Sequence, residues 1–561
     1  MQSFHSLFRA LLMAAVMVAG FGTVLPARAM PAIQSVAVQP VPLVVGEPFT
    51  ITAAATDVAQ AIATVDFRPW SATLLRVTLT LQNGNWQGSG VVPAALQPPA
   101  GAQAVIKLQV FDAARARVER VVTVGVVSPP AAVTAVFDAG TGVLTVTGDN
   151  NPNTLVVGRD VAGNLRVNNG AVPIAGGLPT IANTTLVRIR GLGGNDQLSL
   201  DESNGAMPPA SIEGGEGADS LVGGSAADEL IGGPGPDALR GKRGNDRHFG
   251  GAGDDVFFWD PGDGSDLVEG EGDNDSLVFN GSSAAEDFDL APNGARLRLV
   301  RNVGNITMDV AGVEIVRINP LGGIDNVSVQ DLAGTGVTEV LADLANPAGS
   351  GGGDDAADSV SVNGSNGSDS ILVTSTAEGA LVSGMSSSIR LAGLDPSLDR
   401  LVVNGQGADD VLNASGLSSG KLLLTIDGGL GSDVMFGSQG ADLLTGGDGN
   451  DSILAGAGDD TMVWNPGDDN DVLEGQAGTD RMLFNGANIS ETIQILPNGG
   501  RLIFLRDIAS VVMDANDVEI IEFNAFSGAD NITLADLSGT DVRQILLNLS
   551  GPCTPGVGDG S

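Results

Sequence analysis

A nine-residue repeat is the feature that most constrains how this chain can fold. Each repeat except the one that starts at Ala455 begins with glycine, usually paired, and every repeat carries Asp at its sixth position and ends in a short, mostly apolar segment. One array runs without interruption from Gly214 to Phe258, and a second runs from Gly428 to Val463. Such a period predicts a repetitive array in place of one compact core. The sixth-position aspartates are Asp219, Asp228, Asp237, Asp246 and Asp255 in the first array, and Asp433, Asp442, Asp451 and Asp460 in the second.

The spacing of glycine and aspartate within each repeat suits calcium. Glycine permits positive φ, so the chain can turn sharply with its carbonyls facing one point. Ca2+ takes roughly six to eight oxygen ligands, so two stacked turns can saturate the ion where one turn cannot. After an insertion of two residues each array continues more loosely, through Asp266 and Asp275 in the first and Asp471 and Asp480 in the second. The candidate metal ligands are the nine sixth-position aspartates with Asp266 and Asp471, and the turn glycines Gly215, Gly217, Gly233, Gly235, Gly251, Gly253, Gly429, Gly431, Gly447 and Gly449.

The repeats resemble the hemolysin-type calcium-binding repeat family, also called RTX, whose nonapeptide is G-G-x-G-x-D-x-U-x. The resemblance implies a parallel β-roll in which nine residues make half a coil and each Ca2+ lies between turns n and n+2. It also implies that Asp237 is shared by two sites and that Asp219 belongs to one. The implied stacks are Asp219, Asp237 and Asp255 on one edge with Asp228 and Asp246 on the other, and in the second array Asp433 with Asp451, and Asp442 with Asp460.

The departures from the family pattern fall mainly on the turn from Gly241 to Asp246. Lys242 and Arg243 replace a glycine and its neighbour there, and His248 occupies the eighth position, where an inward aliphatic residue belongs. Sites that use this turn are therefore the weakest candidates. His248 is predicted to be a tolerated, partly exposed strand residue. Elsewhere Ala226, Ser438 and Ala455 replace glycines.

A coarser repeat of about 200 residues surrounds these arrays. The segment from Trp259 to Asp263 returns as Trp464 to Asp468, and Phe279-Asn280-Gly281 returns as Phe484-Asn485-Gly486, both at an offset of 205. Asp219 corresponds to Asp433 at an offset of 214, so one nonapeptide is missing from the second copy. The sequence therefore predicts two RTX modules with flanking β-strands, residues 132–347 and 358–552. A Gly- and Asp-rich linker at 348–357 is predicted to be flexible.

The residues before the arrays have a different character. Residues 1–29 are predicted to be a cleaved signal peptide, with an apolar run from Ala10 to Leu25 and a small-x-small site at Ala27-Arg28-Ala29. Residues 30–131 contain β-rich stretches such as Phe49 to Ala55, separated by turn sequences, which predicts a small antiparallel sandwich. This region resembles an immunoglobulin-like domain without the Cys pair. Trp70 and Trp86 are predicted to belong to its core. Residues 553–561 are predicted to be a tail.

Charge and missing residue types narrow the function. Lys and Arg number 27 against 67 Asp and Glu, a formal charge of −40. Residues 1–131 contain eight basic and five acidic residues, so the later part carries −43. This argues against nucleic acid or anionic membrane as partners and for cations. The mature chain would keep one histidine, His248, which excludes the H-E-x-x-H zinc pair, and one cysteine, Cys553, which excludes an internal disulfide.

Two classes of function are consistent with these features. The favoured one is an exported, non-enzymatic calcium-binding protein whose rolls fold on binding Ca2+, for instance in adhesion or in an extracellular matrix. The alternative is an extracellular hydrolase, a carboxylate-based glycosidase, with RTX modules as accessories. One Gly-x-Ser-x-Gly match, Gly416 to Gly420, lacks the strand-turn-helix context of a nucleophile elbow. The apolar run of the leader is shorter than the ~20 residues that a spanning helix needs, and no other run of comparable hydrophobicity occurs, so the sequence predicts a secreted protein with periplasm and cell surface both open.

Overall fold

The computed structural model describes residues 30–44, 48–68, 71–93, 96, 98, 102–127 and 133–549. The described chain is all-β, as predicted. Its helical segments are two single turns of 3-10 helix, Asn168–Gly170 and Ile508–Ser510. The chain divides into two compact units between residues 131 and 132. The predicted signal peptide, Trp70 and the predicted tail with Cys553 lie outside the described residues.

The N-terminal unit is a sandwich of antiparallel strands. Strands β1, β3, β6 and β5 form one layer, and β4, β7 and β8 form the other, with β5 pairing to both layers along its length. This is the strand order of an immunoglobulin constant-type domain, so the predicted architecture is confirmed. Trp86 is buried at 9 % exposure. The strands are β1 (Ala32–Gln39), β2 (Leu43–Val44), β3 (Pro48–Thr56), β4 (Gln60–Asp66), β5 (Leu74–Gln82), β6 (Asn85–Val91), β7 (Gln103–Phe111) and β8 (Arg117–Val127).

The second unit consists of short strands joined by tight turns. Its strands are β9 (Thr134–Asp138), β10 (Val143–Thr147), β11 (Thr154–Arg159), β12 (Leu165–Val167), β13 (Ile174–Ala175), β14 (Leu186–Gly193), β15 (Gln197–Asp201), β16 (Ala210–Glu216), β17 (Ser220–Val222), β18 (Glu229–Pro234), β19 (Ala238–Arg240), β20 (Arg247–Ala252), β21 (Val256–Trp259), β22 (Leu267–Gly272), β23 (Ser276–Asn280), β24 (Asp287–Asn293), β25 (Arg296–Arg301), β26 (Ile306–Ala311), β27 (Ile315–Asn319), β28 (Asn326–Val329), β29 (Glu339–Asp343), β30 (Ser359–Asn363), β31 (Ser370–Ser375), β32 (Gly379–Ser383), β33 (Ser388–Ala392), β34 (Arg400–Asn404), β35 (Val411–Gly416), β36 (Leu423–Leu430), β37 (Val434–Phe436), β38 (Asp442–Asp448), β39 (Ser452–Leu454), β40 (Thr461–Trp464), β41 (Val472–Glu474), β42 (Arg481–Asn485), β43 (Thr492–Asn498), β44 (Arg501–Arg506), β45 (Val511–Asn516), β46 (Ile520–Asn524), β47 (Asn531–Leu534) and β48 (Gln544–Asn548).

Successive nonapeptides alternate between two long parallel sheets. Strands β16, β18, β20 and β22 pair in the first sheet, and β17, β19, β21 and β23 pair in the second. Leu221 pairs with Leu239, which pairs with Phe257, and all three are fully buried. One coil of the arrays therefore takes eighteen residues, and the eighth position of each repeat faces the core. The predicted parallel β-roll is confirmed.

The missing nonapeptide changes the sheet in which equivalent strands lie. Strands β21 and β23 belong to the second sheet, whereas β40 and β42, their counterparts at an offset of 205, belong to the first. Nine residues are half a coil, so the loss of one repeat moves every later strand to the opposite sheet. The repeated aromatic motifs keep their packing: the rings of Trp259 and Phe279 stack at 4.1 Å between centroids, and those of Trp464 and Phe484 at 3.9 Å.

Residues 348–357 join two parts of one continuous roll. Strand β28, which precedes this segment, pairs with β30, which follows it, and one hydrophobic core extends from Ala135 to Ala525. The segment itself is tied down, since the Asp355 amide donates to Asp395 Oδ2 at 2.7 Å. The sequence predicted two modules on a flexible linker. The structure differs from this prediction because glycine and aspartate, which are typical of flexible linkers, are also the residues that form the turns of the roll.

Candidate metal centre

The sixth-position aspartates form hydrogen-bonded ladders along the edges of the roll. The Asp219 amide donates to Asp237 Oδ1 at 2.7 Å, and the Asp237 amide donates to Asp255 Oδ1 at the same distance. On the other edge the Asp228 amide donates to Asp246 Oδ1 at 2.7 Å. The second array repeats this arrangement, from Asp433 to Asp451 and from Asp442 to Asp460, both at 2.8 Å. The structure thus brings together the stacks that the resemblance implied.

The second carboxylate oxygen of most of these aspartates is buried and has no hydrogen-bond partner among the described residues. A buried oxygen without a partner is costly, and in native proteins such atoms are nearly always satisfied by protein, water or an ion. Such oxygens, in a row along each edge, therefore fit bound cations. They are the Oδ2 atoms of Asp219, Asp237, Asp246, Asp255, Asp433, Asp451 and Asp460.

Glycine at the first position of most repeats leaves room for this oxygen. A Cβ added to Gly232 would lie 2.4 Å from Asp237 Oδ2 and 2.6 Å from the Gly250 carbonyl oxygen. A carboxylate and a carbonyl of the next turn therefore face the same place, from which any side chain is excluded. Hard oxygen donors from two turns are the ligands that Ca2+ takes. The residues present fit the ion.

The predicted turn glycines lie at the second and fourth positions of these turns. All ten have φ between 92° and 143°, a region that other residues adopt only with strain. The turns also stack closely, since a Cβ on Gly235 would lie 1.8 Å from the Gly217 carbonyl oxygen. We call turns with positive φ at these positions and an unpartnered Oδ2 open turns.

Two predicted ligands occupy turns of a different kind. The Gly224 amide donates to Asp228 Oδ2 at 2.6 Å, and the Ser438 amide donates to Asp442 Oδ2 in the same way. Asp228 Oδ1 accepts the Ala210 amide, and Asp442 Oδ1 accepts the Ser438 hydroxyl. Both oxygens of each carboxylate are therefore satisfied within the protein. We call these closed turns, and each array has one at the same place in its second edge.

The looser continuation of the arrays extends the ladders. Asp266 Oδ1 accepts the Asp246 amide at 2.8 Å, and Asp471 Oδ1 accepts the Asp451 amide at 3.0 Å. One half-coil later, Asp275 Oδ1 accepts the Asp255 amide and Asp480 Oδ1 accepts the Asp460 amide. The Oδ2 atoms of Asp275 and Asp480 are also buried without a partner in the described chain. Asp266 and Asp471 thus lie in the stacks, as predicted, and Asp275 and Asp480 join them.

Sequence reasoning missed further open turns outside the arrays. The Asp196 amide donates to Asp219 Oδ1, and its own Oδ2 is buried without a partner within residues 133–549. Asp219 therefore lies between the turns of Asp196 and Asp237. It does not end the stack, although it was expected to belong to one site. Residues 191–196 match the repeat except that Leu192, at φ 83°, replaces its second glycine. The same arrangement recurs at Asp325, Asp410 and Asp530.

Burial makes these carboxylates hard to ionise without a cation. Desolvation, followed by the charges of Asp255 and Asp219, raises the pKa of Asp237 to about 7. Desolvation raises the pKa of Asp246 to about 8 and that of Asp451 to about 7, again with neighbouring aspartates contributing. A proton or a cation must therefore accompany each of these groups in the folded roll.

His248 differs from its prediction as a partly exposed residue. Its side chain is 1 % exposed, its ring stacks on Phe257 at 6.2 Å, and burial lowers its pKa to about 4. Neither ring nitrogen has a hydrogen-bond partner in the part of the chain that the structure describes. Its ligand atom lies with those of Asp246 and Asp266 in a buried group whose members are all within 4.8 Å of one another.

A comparison with protein-family models agrees with this geometry. The RTX calcium-binding nonapeptide repeat matches in four copies, at residues 211–239, 231–258, 427–462 and 467–488. The chain therefore carries calcium-binding RTX repeats on a β-roll, and its ion is Ca2+. No curated protein matches the sequence. Among solved structures, the extracellular lipase LipA from Serratia marcescens is similar at 14 % identity and a TM-score of 0.14, over 59 % of this chain and 42 % of the lipase.

Within the described residues there is no helix whose length and apolar character would let it cross a membrane.

Proposed function

We propose that this protein is an exported, non-enzymatic calcium-binding repeat protein whose roll, residues 133–549, folds on binding Ca2+. The observation that carries the proposal is the row of buried, unpartnered Asp Oδ2 atoms in the open turns. Such a protein would serve as an ion-stabilised spacer in adhesion or in an extracellular matrix.

Calcium binding and folding are coupled in this proposal. The region after residue 131 carries −43, and the open turns bring its carboxylates together in stacks. Without an ion these charges repel one another and oppose compaction. An ion that binds only the folded stack stabilises it by mass action, because the unfolded chain offers no preformed cage.

The placement of possible catalytic groups supports a role without catalysis. Ser418, in the one Gly-x-Ser-x-Gly match, lies in the turn between β35 and β36, without the helix of a nucleophile elbow, while His248 is buried with no partner in residues 133–549. A cavity of about 410 Å³ beside β11 and β12 has one carboxylate, Asp201, among its lining residues. Glycoside hydrolysis uses a pair. A panel of glycans and esters tests the alternative of a hydrolase directly.

Export rests on the signal-peptide pattern of residues 1–29 and on the calcium requirement, which an extracellular medium meets. N-terminal sequencing of the product from its native host should find Met30 first. Recovery of an uncleaved chain beginning at Met1 would contradict this part of the proposal.

The test of calcium-dependent folding is a titration of chelated full-length protein, followed by far-ultraviolet circular dichroism. We expect Ca2+ to restore the β signal of the roll, and Mg2+ at the same concentration to fail, because it demands near-octahedral geometry and dehydrates reluctantly. An unchanged roll signal in chelator would overturn the proposal.

A matched pair of variants distinguishes ligation from general charge effects. Asp255→Asn removes a charge from an open turn, whereas Asp228→Asn removes one from a closed turn. Only Asp255→Asn should lower the number of Ca2+ ions bound, as counted by calorimetry. An equal loss in both variants would show that the open turns are not the binding turns.

A further inference from the structure

The turn from Gly241 to Asp246 holds a nitrogen where other open turns hold oxygen alone. A Cβ added to Gly241 would lie 2.3 Å from Asp246 Oδ2 and 2.6 Å from His248 Nε2. The imidazole nitrogen and the carboxylate oxygen therefore face the same place. Both atoms are buried and unpartnered within the described chain, and Asp266 completes the group.

The second array provides the same turn without the histidine. At an offset of 205, Asp246, His248 and Asp266 correspond to Asp451, Ile453 and Asp471. The ladder is preserved, with the Asp451 amide on Asp471 Oδ1, and Ile453 is 1 % exposed at the inward position. An aliphatic side chain thus suffices to fill this place in the core. The fold alone does not account for a polar ring there.

The charges around the two turns also differ. Lys242 and Arg243 in the first array stand where the second has Gly447 and Asp448, a difference of three charges. Lys242 keeps the left-handed conformation of the replaced glycine, with φ 65°. The first turn therefore retains the open shape and carries less negative charge than its counterpart in the second array.

We propose that Asp246, His248 and Asp266 bind a transition-metal dication of the Zn2+ type, at a site distinct from the calcium sites of the other open turns. Imidazole nitrogen suits Zn2+ and its neighbours in the first transition series, whereas Ca2+ prefers oxygen ligands throughout. Two carboxylates balance the charge of the dication, and a neutral imidazole supplies the third ligand. Calcium elsewhere in the roll would hold the strands that carry these three side chains.

The experiment uses the full-length protein with Cys553→Ser, which removes the one thiol ligand, in saturating Ca2+. Co2+ serves as the spectroscopic probe for Zn2+. We expect one Co2+ per chain with a visible absorption band, displaced by Zn2+ and retained in millimolar Ca2+. His248→Ile, which copies the second array, should weaken Co2+ binding at least ~100-fold, more than the loss of an outer-shell partner. Its calcium-dependent circular dichroism should not change.

The converse variant guards against a trivial loss of folding. Ile453→His places the same nitrogen beside Asp451 and Asp471, and we expect it to bind a second Co2+. Equal Co2+ binding by the parent and His248→Ile would overturn the proposal, as would displacement of Co2+ by millimolar Ca2+. Neither result would affect the calcium titration of the roll, so the two proposals fail separately.

Discussion

Replacing Asp237 with Asn should have opposite effects on the roll with and without calcium. Asn keeps an oxygen to accept the Asp219 amide, but it cannot ionise. Burial and the charges of Asp255 and Asp219 raise the pKa of Asp237 from 3.8 to about 7. Because the folded-state pKa is the higher one, ionisation costs the folded roll stability. This cost is absent well below pH 3.8 and grows until the pH passes about 7.

The size of the effect follows from the same two values. One pKa unit corresponds to about 1.4 kcal/mol, so the ionisable carboxyl destabilises the calcium-free coil by about 4 kcal/mol at pH 7. The same relation gives about 2 kcal/mol at pH 5, where the folded carboxyl keeps its proton. Asp237→Asn should therefore stabilise the calcium-free roll, and more so at pH 7 than at pH 5. In calcium it removes a charged ligand and should destabilise the roll.

The assay measures the circular dichroism signal of the β-roll in chelator between pH 4 and pH 8. It then measures the same signal at pH 7 as a function of calcium concentration. In chelator Asp237→Asn should keep its β signal to higher pH than the parent, whereas at pH 7 it should need more calcium. Hydrogen exchange of the Asp219 and Val256 amides gives the free energy of local opening at this turn, since both amides donate hydrogen bonds to Asp237. Glu378→Gln, at an exposed position, controls for net charge. A loss of stability in chelator at pH 7 would refute the reasoning.

Three further outcomes are expected. Gly235→Ala should unfold or loosen the coils around it, because the added Cβ would meet the Gly217 carbonyl oxygen. Gly262 also has positive φ but has open space around it, so Gly262→Ala should lower the free energy of unfolding only by the backbone strain of about 1–2 kcal/mol. Thermal melting in calcium compares the two variants. Arg301→Ala should lower the free energy of unfolding by about 3–5 kcal/mol, because it leaves the buried Glu286 without its ion-pair partner. Arg298→Ala, which breaks an exposed ion pair, should lower it by less than about 1 kcal/mol in the same assay. Calcium affinity, measured by calorimetry, should fall as the pH drops from 8 to 6, because the raised pKa values of the turn carboxylates make protons compete with the ion, and binding should release protons in this range.

The nine-residue period predicted the inward eighth position, and the resemblance to the RTX family implied the half-coil and the stacking of the aspartates. Leu221, Leu239 and Phe257 lie where that period places them. It was not enough to separate open from closed turns. Ala226 marks the closed turn of the first array, yet the closed turn of the second keeps glycine at that position, Gly440. A turn is closed when the backbone amide of its second residue donates a hydrogen bond to the Asp carboxylate. The pattern of residue types does not predict the orientation of that amide.

Other turns escaped prediction because their composition is ambiguous. Leu192 adopts φ 83° in the turn that ends at Asp196, although a glycine would do so without strain. The contacts of the stack, here the Asp196 amide on Asp219 Oδ1, hold it there. Tertiary packing thus overrides the local preference, and a search for paired glycines passes over such turns. The same ambiguity made residues 348–357 resemble a linker.

The turns of this roll satisfy a buried carboxylate in three ways, and the neighbours of each Asp decide which. A closed turn gives Asp228 a second amide, so that carboxylate needs no ion. An open turn leaves Asp237 facing a carbonyl of the next turn, so at neutral pH a cation is needed to balance it. The turn of Asp246 adds an imidazole nitrogen, which shifts the preferred ion away from calcium. One backbone repeat can therefore hold different ions along its length, because ion choice depends on the one or two side chains that differ between otherwise equal turns.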